Sequence, residues 1–345
     1  MINPLGQIGL ENGDFKTDDA WSQTRQKSTR SAALSYLMLL CAGAAVAVFI
    51  IYINFVKPPP SPISGASPVS LDKLNPFLNL SLEAKAAYVV DTTTGAVLYE
   101  KNAEAQLPLA SLTKLMTALV AVEVLPDYSI VPIGVKDIEK EGDSGFAVNE
   151  PWRLKDIVWF TLLSSSNDGA SALANSVAAF ENGLGGYERA STETVMENKM
   201  NDKAKEIGLI QTYFTNETGL DSGKSVSGGY GSARDMTKLF NYILRNHRDL
   251  LEVTAYDSLL FISLSDKKRE AKNTNALVKT VPGIIASKTG FTDLAGGNLV
   301  VAFDLDFSRP IIAAVLGSSE EGRFADVSKI IDATALFFAN GGNSM

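Results

Sequence analysis

Residues 107–117 read Leu-Pro-Leu-Ala-Ser-Leu-Thr-Lys-Leu-Met-Thr, and the order of the fold follows from how this stretch is placed. Leu112, Leu115, Met116, Leu119 and Val122 recur at spacings of three and four, the period of a helix with a buried face. Ser111 and Lys114, at i and i+3, then share one face of its first turn. A serine there sits in the positive field of the helix N-terminus, which favours developing negative charge. An amine one turn away can serve as its base if burial or a neighbouring cation keeps it partly neutral. Spacing alone does not select this pair, because the chain holds two more copies, Ser70 to Lys73 and Ser265 to Lys268.

Before this helix, Ala87–Asp91 and Ala96–Glu100 are short β-type runs around Thr92-Thr93-Thr94-Gly95, which predicts a hairpin. After it, helical patterns cover Trp152–Leu163, Gly169–Ala179, Thr194–Ile207 and Ala233–Arg245. Strand character returns at Thr280–Gly290, Asn298–Asp304 and Pro310–Leu316, the last two joined by a turn at residues 306–309, and a closing helix spans 322–339. Strands at both ends with helices between them predict an α/β (α+β) domain. Its antiparallel sheet comes from N- and C-terminal segments, is flanked by helices and has an inserted helical lobe.

Two further polar clusters interrupt this pattern. Ser164-Ser165-Ser166-Asn167-Asp168 lies between helices; Ser166 or Asp168 reads as a helix N-cap, whereas Ser165 and Asn167 are free to face a cleft. Ser287-Lys288-Thr289-Gly290 closes a late strand, where a solvent lysine and a turn glycine are the plain reading.

Composition narrows the chemistry. The chain has 345 residues, 46% hydrophobic, with 31 basic and 39 acidic side chains for a net charge of −8. An acidic chain has no electrostatic reason to bind a nucleic acid backbone. The one cysteine, Cys41, lies in an apolar run, so disulfides, cysteine-ligated zinc and a cysteine nucleophile are excluded from the remaining sequence. The one histidine, His247, stands between Arg245 and Arg248 at a helix end and reads as a surface residue, not a base.

That apolar run, AALSYLMLLCAGAAVAVFIIYI at 32–53, carries no charge and is long enough to cross a bilayer. Arg25, Lys27 and Arg30 precede it, so residues 1–31 are expected in the cytoplasm and the rest outside. The expected organisation is a tail at 1–31, an uncleaved transmembrane signal-anchor at 32–54, a Pro/Ser-rich spacer at 55–74 and a folded domain at 75–340.

Each polar cluster has a plain explanation by itself, but together they form an ordered set. Ser-x-x-Lys, Ser-x-Asn and Lys-Thr-Gly are the motifs of penicillin-binding proteins and serine β-lactamases, here Ser111/Lys114, Ser165/Asn167 and Lys288-Thr289-Gly290. Over about residues 80–340 the chain resembles the D-alanyl-D-alanine carboxypeptidase family of low-molecular-mass penicillin-binding proteins. The resemblance also rests on Phe214-Thr215-Asn216, Thr218-Gly219-Leu220-Asp221, Ser232–Met236, Asn273-Thr274-Asn275-x-Leu277 and Phe291-Thr292. It implies a β-lactamase-like fold and a nucleophilic Ser111. Lys114 would be its base, kept partly neutral by Lys288, and Ser165 a proton relay. Asn167 would bind the substrate amide and orient Lys114, while Lys288 and Thr289 hold the terminal carboxylate. The backbone N–H groups of Ser111 and Phe291 would form the oxyanion hole. Peptidoglycan stem peptide is the implied substrate, β-lactams the covalent inhibitors, and no cofactor or metal is required.

Glu217 replaces the family's usual proline, a change expected to alter a loop and leave the chemistry alone, and Ser166 replaces a common glycine. Carboxypeptidase and cross-link-cleaving endopeptidase share this constellation, and the sequence leaves both open. No Glu-x-x-Leu-Asn segment provides the extra glutamate of a class A β-lactamase. A catalytically dead wall-binding scaffold would not need every catalytic position intact.

Overall fold

The computed structural model describes residues 75–184, 191–281, 283–305 and 309–342, together with Met38, Leu40 and 42–45, which are helical. The remainder of the expected span 32–54, the tail at 1–31 and the spacer at 55–74 lie outside the described residues. Among the described residues no helix is long and apolar enough to cross a membrane.

The expected hairpin forms between β1 (Ala86–Asp91) and β2 (Val97–Lys101), with Tyr88 opposite Glu100. Its turn is set by Asp91, whose Oδ1 accepts from the N–H groups of Thr93 and Thr94, and by Gly95 at φ 78°. The two-residue strand β3 (Leu107–Pro108) then leads through a tight turn at Ala110–Leu112 into α1 (Thr113–Val124).

The helical lobe opens with a small ribbon, β4 (Ile130–Pro132) against β5 (Pro151–Arg153). It continues with α2 (Leu154–Ser164), α3 (Asn167–Leu184) and α4 (Thr192–Ile207). β6 (Tyr213–Phe214) and β7 (Gly229–Gly231) pair with β3, and α5 (Ala233–Asn246) and the short α6 (Arg248–Glu252) follow. A hairpin the periodicity does not announce, β8 (Ser258–Ile262) and β9 (Lys268–Lys272), comes next. Its turn holds the Ser265–Lys268 copy of the spacing, which is therefore not helical.

The chain closes with β10 (Ile284–Thr292), β11 (Gly296–Phe303), β12 (Ile311–Ser318) and α7 (Gly322–Ala339). Residues 306–308 of the expected turn between the last two strands lie outside the described residues.

The main sheet is five-stranded and antiparallel, in the order β10-β11-β12-β1-β2. β1 and β12 pair directly, Tyr88 opposite Ala314, so the two ends of the domain meet at its centre. β12 is apolar at nearly every position because both faces of the sheet are covered. Ile312, Ala314 and Leu316 face the core shared with the helical lobe, whereas Ile311, Ala313 and Val315 face Val327, Ile330 and Ile331 of α7. α1 lies inside the larger core and is buried continuously from Thr113 to Ala121. The amine of Lys114 is thereby taken out of water.

Candidate active site

Three elements converge on Ser111. The first is the turn that carries it. Ala110 adopts φ 48°, a left-handed conformation that an L-residue holds only when its surroundings enforce it. The enforcement comes from Gly219, at φ 80°, whose position leaves no room for a Cβ: one would lie 1.9 Å from the Ala110 carbonyl oxygen. From the other side β10 presses in at Gly290, where a Cβ would stand 3.1 Å from the Ser111 nitrogen. Glycine at 290 thus lets the strand lie against the backbone of the serine, as well as ending the Lys-Thr-Gly run.

Lys114 has no exposed surface. Its Nζ lies 2.9 Å from Ser111 Oγ and donates to the Thr218 carbonyl at 2.7 Å. That carbonyl is aimed by a compact turn around Asn216. Its Oδ1 accepts from the N–H groups of Thr218 and Gly219, and its Nδ2 donates to Leu220 O. Burial lowers the pKa of Lys114 from 10.5 to about 7, against the opposing pull of the Glu217 carboxylate. The depression expected from Lys288 is therefore not what sets it; loss of water is. Glu217 also bears on the chemistry rather than on a loop alone. It is buried, its carboxylate pairs with Lys140 at 3.1 Å, and its carbonyl accepts from Thr117 Oγ1 at 2.6 Å, one turn along from Lys114.

Ser165 ends α2 in a left-handed conformation, φ 62°, which turns its side chain out of the helix and toward β10. There Lys288 Nζ donates to Ser165 Oγ at 2.8 Å and to the Thr289 carbonyl at 2.8 Å. Lys288 is buried, and its pKa falls well below the ordinary lysine value through burial first, then the nearby charges of Lys114 and Arg323. Thr289 Oγ1 lies 2.5 Å from Thr274 Oγ1. Ser166 caps α3 as its sequence position predicts, accepting from the Gly169 N–H at 2.9 Å.

One expected contact is absent. Asn167 opens α3 and its Nδ2 donates to Glu141 O at 2.5 Å, while its Oδ1 is buried with no hydrogen-bond partner. Asn167 therefore does not orient Lys114; the Thr218 carbonyl does. A backbone acceptor set by a remote turn leaves no side-chain signature at its own position in the sequence. Phe291, next along β10, is 42% exposed. Among the described residues no cluster of His, Cys, Asp and Glu is arranged to hold a metal.

This arrangement is suited to acyl transfer: a hydroxyl touches an amine that is neutral for part of the time near neutral pH, and a second amine touches a second hydroxyl. A family model described as D-alanyl-D-alanine carboxypeptidase matches residues 74–320, more than half of the chain. The D-alanyl-D-alanine carboxypeptidase DacF of Bacillus subtilis is 32% identical over 259 residues, covering 73% of this chain and 62% of that protein. This chain thus spans less than two thirds of that relative's length. The D-alanyl-D-alanine endopeptidase of Pseudomonas aeruginosa is 31% identical over 268 residues, covering 73% of this chain and 77% of that one. Among solved structures, penicillin-binding protein D2 of Listeria monocytogenes in its ampicillin-bound form superposes with a TM-score of 0.61 at 26% identity, covering 74% of this chain and 98% of that one. The α/β fold with its antiparallel sheet is thus that of the penicillin-binding proteins. On the extent of that match, the chain belongs to the D-alanyl-D-alanine carboxypeptidase family.

Proposed function

We propose that the protein is a serine-type D-alanyl-D-alanine carboxypeptidase that trims peptidoglycan stem peptides through an acyl-enzyme on Ser111. The observation that carries this reading is the 2.9 Å contact between Ser111 Oγ and an amine with no exposed surface. Ser111 Oγ attacks the carbonyl of the penultimate D-alanine as its proton passes to Lys114 Nζ. The backbone N–H groups of Ser111 and Phe291 stabilise the oxyanion, each such donor contributing about 3–4 kcal/mol in related chemistry. Ser165 gives its proton to the departing amine of the terminal D-alanine and regains one from Lys288, which in turn takes up the proton that Lys114 removed from Ser111, so both amines return to their starting states. Thr289 Oγ1 and the Lys288 charge receive the terminal carboxylate, and Asn167 the substrate amide. Water then attacks the ester, returns Ser111 Oγ to its protonated state and frees the shortened peptide. β-Lactams, which carry a strained amide in place of the scissile bond, acylate the same serine; the ampicillin-bound Listeria neighbour supports this. Residues 32–54 anchor the chain in the membrane and residues 55–74 hold the domain outside the cytoplasm, a reading supported by the uncharged run and the preceding Arg25, Lys27 and Arg30.

The Pseudomonas relative favours a second reading, cleavage of peptide cross-links. Incubation with a pentapeptide ending in D-Ala-D-Ala, and separately with a cross-linked dimer, distinguishes them. Free D-alanine from the pentapeptide is expected; a dimer cut while the pentapeptide survives establishes the endopeptidase, and inertness toward both sinks either activity.

A further inference from the structure

Arg323 is placed where a cation has no obvious structural reason to be. It lies in the first turn of α7, where the helix dipole opposes positive charge. It is 7% exposed, and among the described residues no carboxylate pairs with it. Its Nε is buried with no hydrogen-bond partner. The carboxylates that act on it, Glu320 and Glu321, do so only through space, and burial lowers its pKa. Such a group costs stability unless what it touches requires it.

Among the described residues its hydrogen bond goes to one backbone carbonyl. Arg323 Nη1 donates to Gly290 O at 2.8 Å in a buried bond. The side chain reaches β10 from α7 by passing Gly297 of β11, the residue registered opposite Phe291. A Cβ at Gly297 would stand 2.0 Å from Ser319 O and 3.3 Å from Arg323 Cδ, so glycine there admits the Ser319 backbone and leaves Arg323 room beside it. The guanidinium also lies 6.0 Å from the Phe291 ring and 4.8 Å from that of Phe324, which fix it from the sides.

Gly290 O and the Phe291 N–H belong to the same peptide unit. We infer that Arg323 is a positioning residue of the oxyanion hole: by holding Gly290 O it fixes the Gly290–Phe291 peptide plane and strengthens the Phe291 N–H as a donor to the developing oxyanion. A charge-assisted bond at one end of a peptide dipole orients and polarises the other end, and the effect is large where water is excluded. The inference rests on the acyl-transfer reading of Ser111 and adds to it a residue about thirty positions from the last motif.

The test uses Arg323→Met and Arg323→Lys in the full chain, with a penicillin carrying a carbon-13 label at the reacting carbonyl. Saturation kinetics separate binding of the penicillin from the acylation step. Arg323→Met is expected to slow acylation about ten-fold or more with binding unchanged, and Arg323→Lys to recover part of the loss. The infrared band of the labelled acyl carbonyl should move to higher wavenumber in Arg323→Met, because a weaker oxyanion hole polarises it less. If the methionine variant does not fold, the lysine variant carries the same infrared readout. An unmoved band, or a rate loss that follows thermal stability equally in both variants, overturns the inference. A wild-type chain that takes up no penicillin overturns the acyl-transfer reading itself, and this inference with it; normal acylation in both variants removes only the role given to Arg323.

Discussion

Lys114→Met is expected to slow acylation of Ser111 by about 10³-fold or more, and to erase the dependence of that step on pH near neutrality. The methionine fills nearly the same buried volume, so the core around α1 survives and the loss reports chemistry. In the wild type, burial brings the pKa of Lys114 down from 10.5 to about 7. The base is its neutral form, so the acylation rate should rise with pH through about 7 and level off above it. Removing the Glu217 charge by Glu217→Gln removes the one neighbour that raises this pKa, which moves the inflection to lower pH. The other charges facing the site are Lys288 from β10, Lys140, paired with Glu217, and Arg323 beneath Gly290. The pKa of Lys288 is lowered too, so the Lys114 assignment is secured by the loss of the inflection in Lys114→Met. Linkage gives a second sign. An unfolded lysine keeps its proton up to about pH 10, so the unfolded chain binds more protons than the folded one above pH 7. The contribution of Lys114 to stability therefore rises with pH across that interval. Stopped-flow acylation by a chromogenic penicillin between pH 5 and pH 9 measures the rates. A Lys114→Met rate within ten-fold of wild type would assign the base elsewhere.

Gly219→Ala should cost at least about 2 kcal/mol of stability and most of the acylation activity. The residue holds φ 80°, and its Cβ would meet the Ala110 carbonyl oxygen at 1.9 Å, backbone against backbone, with no flexible side chain to give way. Relief requires moving either Ala110, which precedes the nucleophile, or the turn that aims the Thr218 carbonyl at Lys114. Gly223→Ala is the matched control, since Gly223 has φ 83° but nothing within 4 Å of the added atom. It should show only the conformational cost, about 1 kcal/mol, with acylation intact. Thermal melting and penicillin labelling of the two variants make the comparison; equal behaviour would mean that the Ala110 contact does not matter.

The sequence is most legible where local pattern and chemistry coincide. The spacing from Leu112 to Val122 places α1, the alternation at 87–100 places the first hairpin, and the closing helix begins and ends where its apolar pattern does. β9 is different. In Lys268–Lys272 only Ala271 is buried, so no apolar alternation marks it as a strand. At the site, Ser111, Lys114, Ser165 and Lys288 are identified by side chain, and the structure brings them together in two touching pairs. What escapes is whatever acts through the backbone or across long separations. Thr218 contributes a carbonyl 104 positions from Lys114, Gly219 contributes an absent Cβ, and Arg323 reaches Gly290 from 33 positions away through a gap left by another glycine. None of these functions has a signature in residue type or spacing. Glu217 shows the opposite failure: its departure from proline is visible in the sequence, but its proximity to the catalytic amine is not.

On the proposed reading Ser111 Oγ carries the acyl group, and the amine 2.9 Å from it removes its proton. Mass mapping of the intact chain after exposure to ampicillin locates that bond directly. A single adduct on the peptide containing Ser111, and none on the Ser111→Ala variant, is the predicted outcome. An adduct on Ser165 or any other residue, or equal labelling of the two proteins, would contradict it.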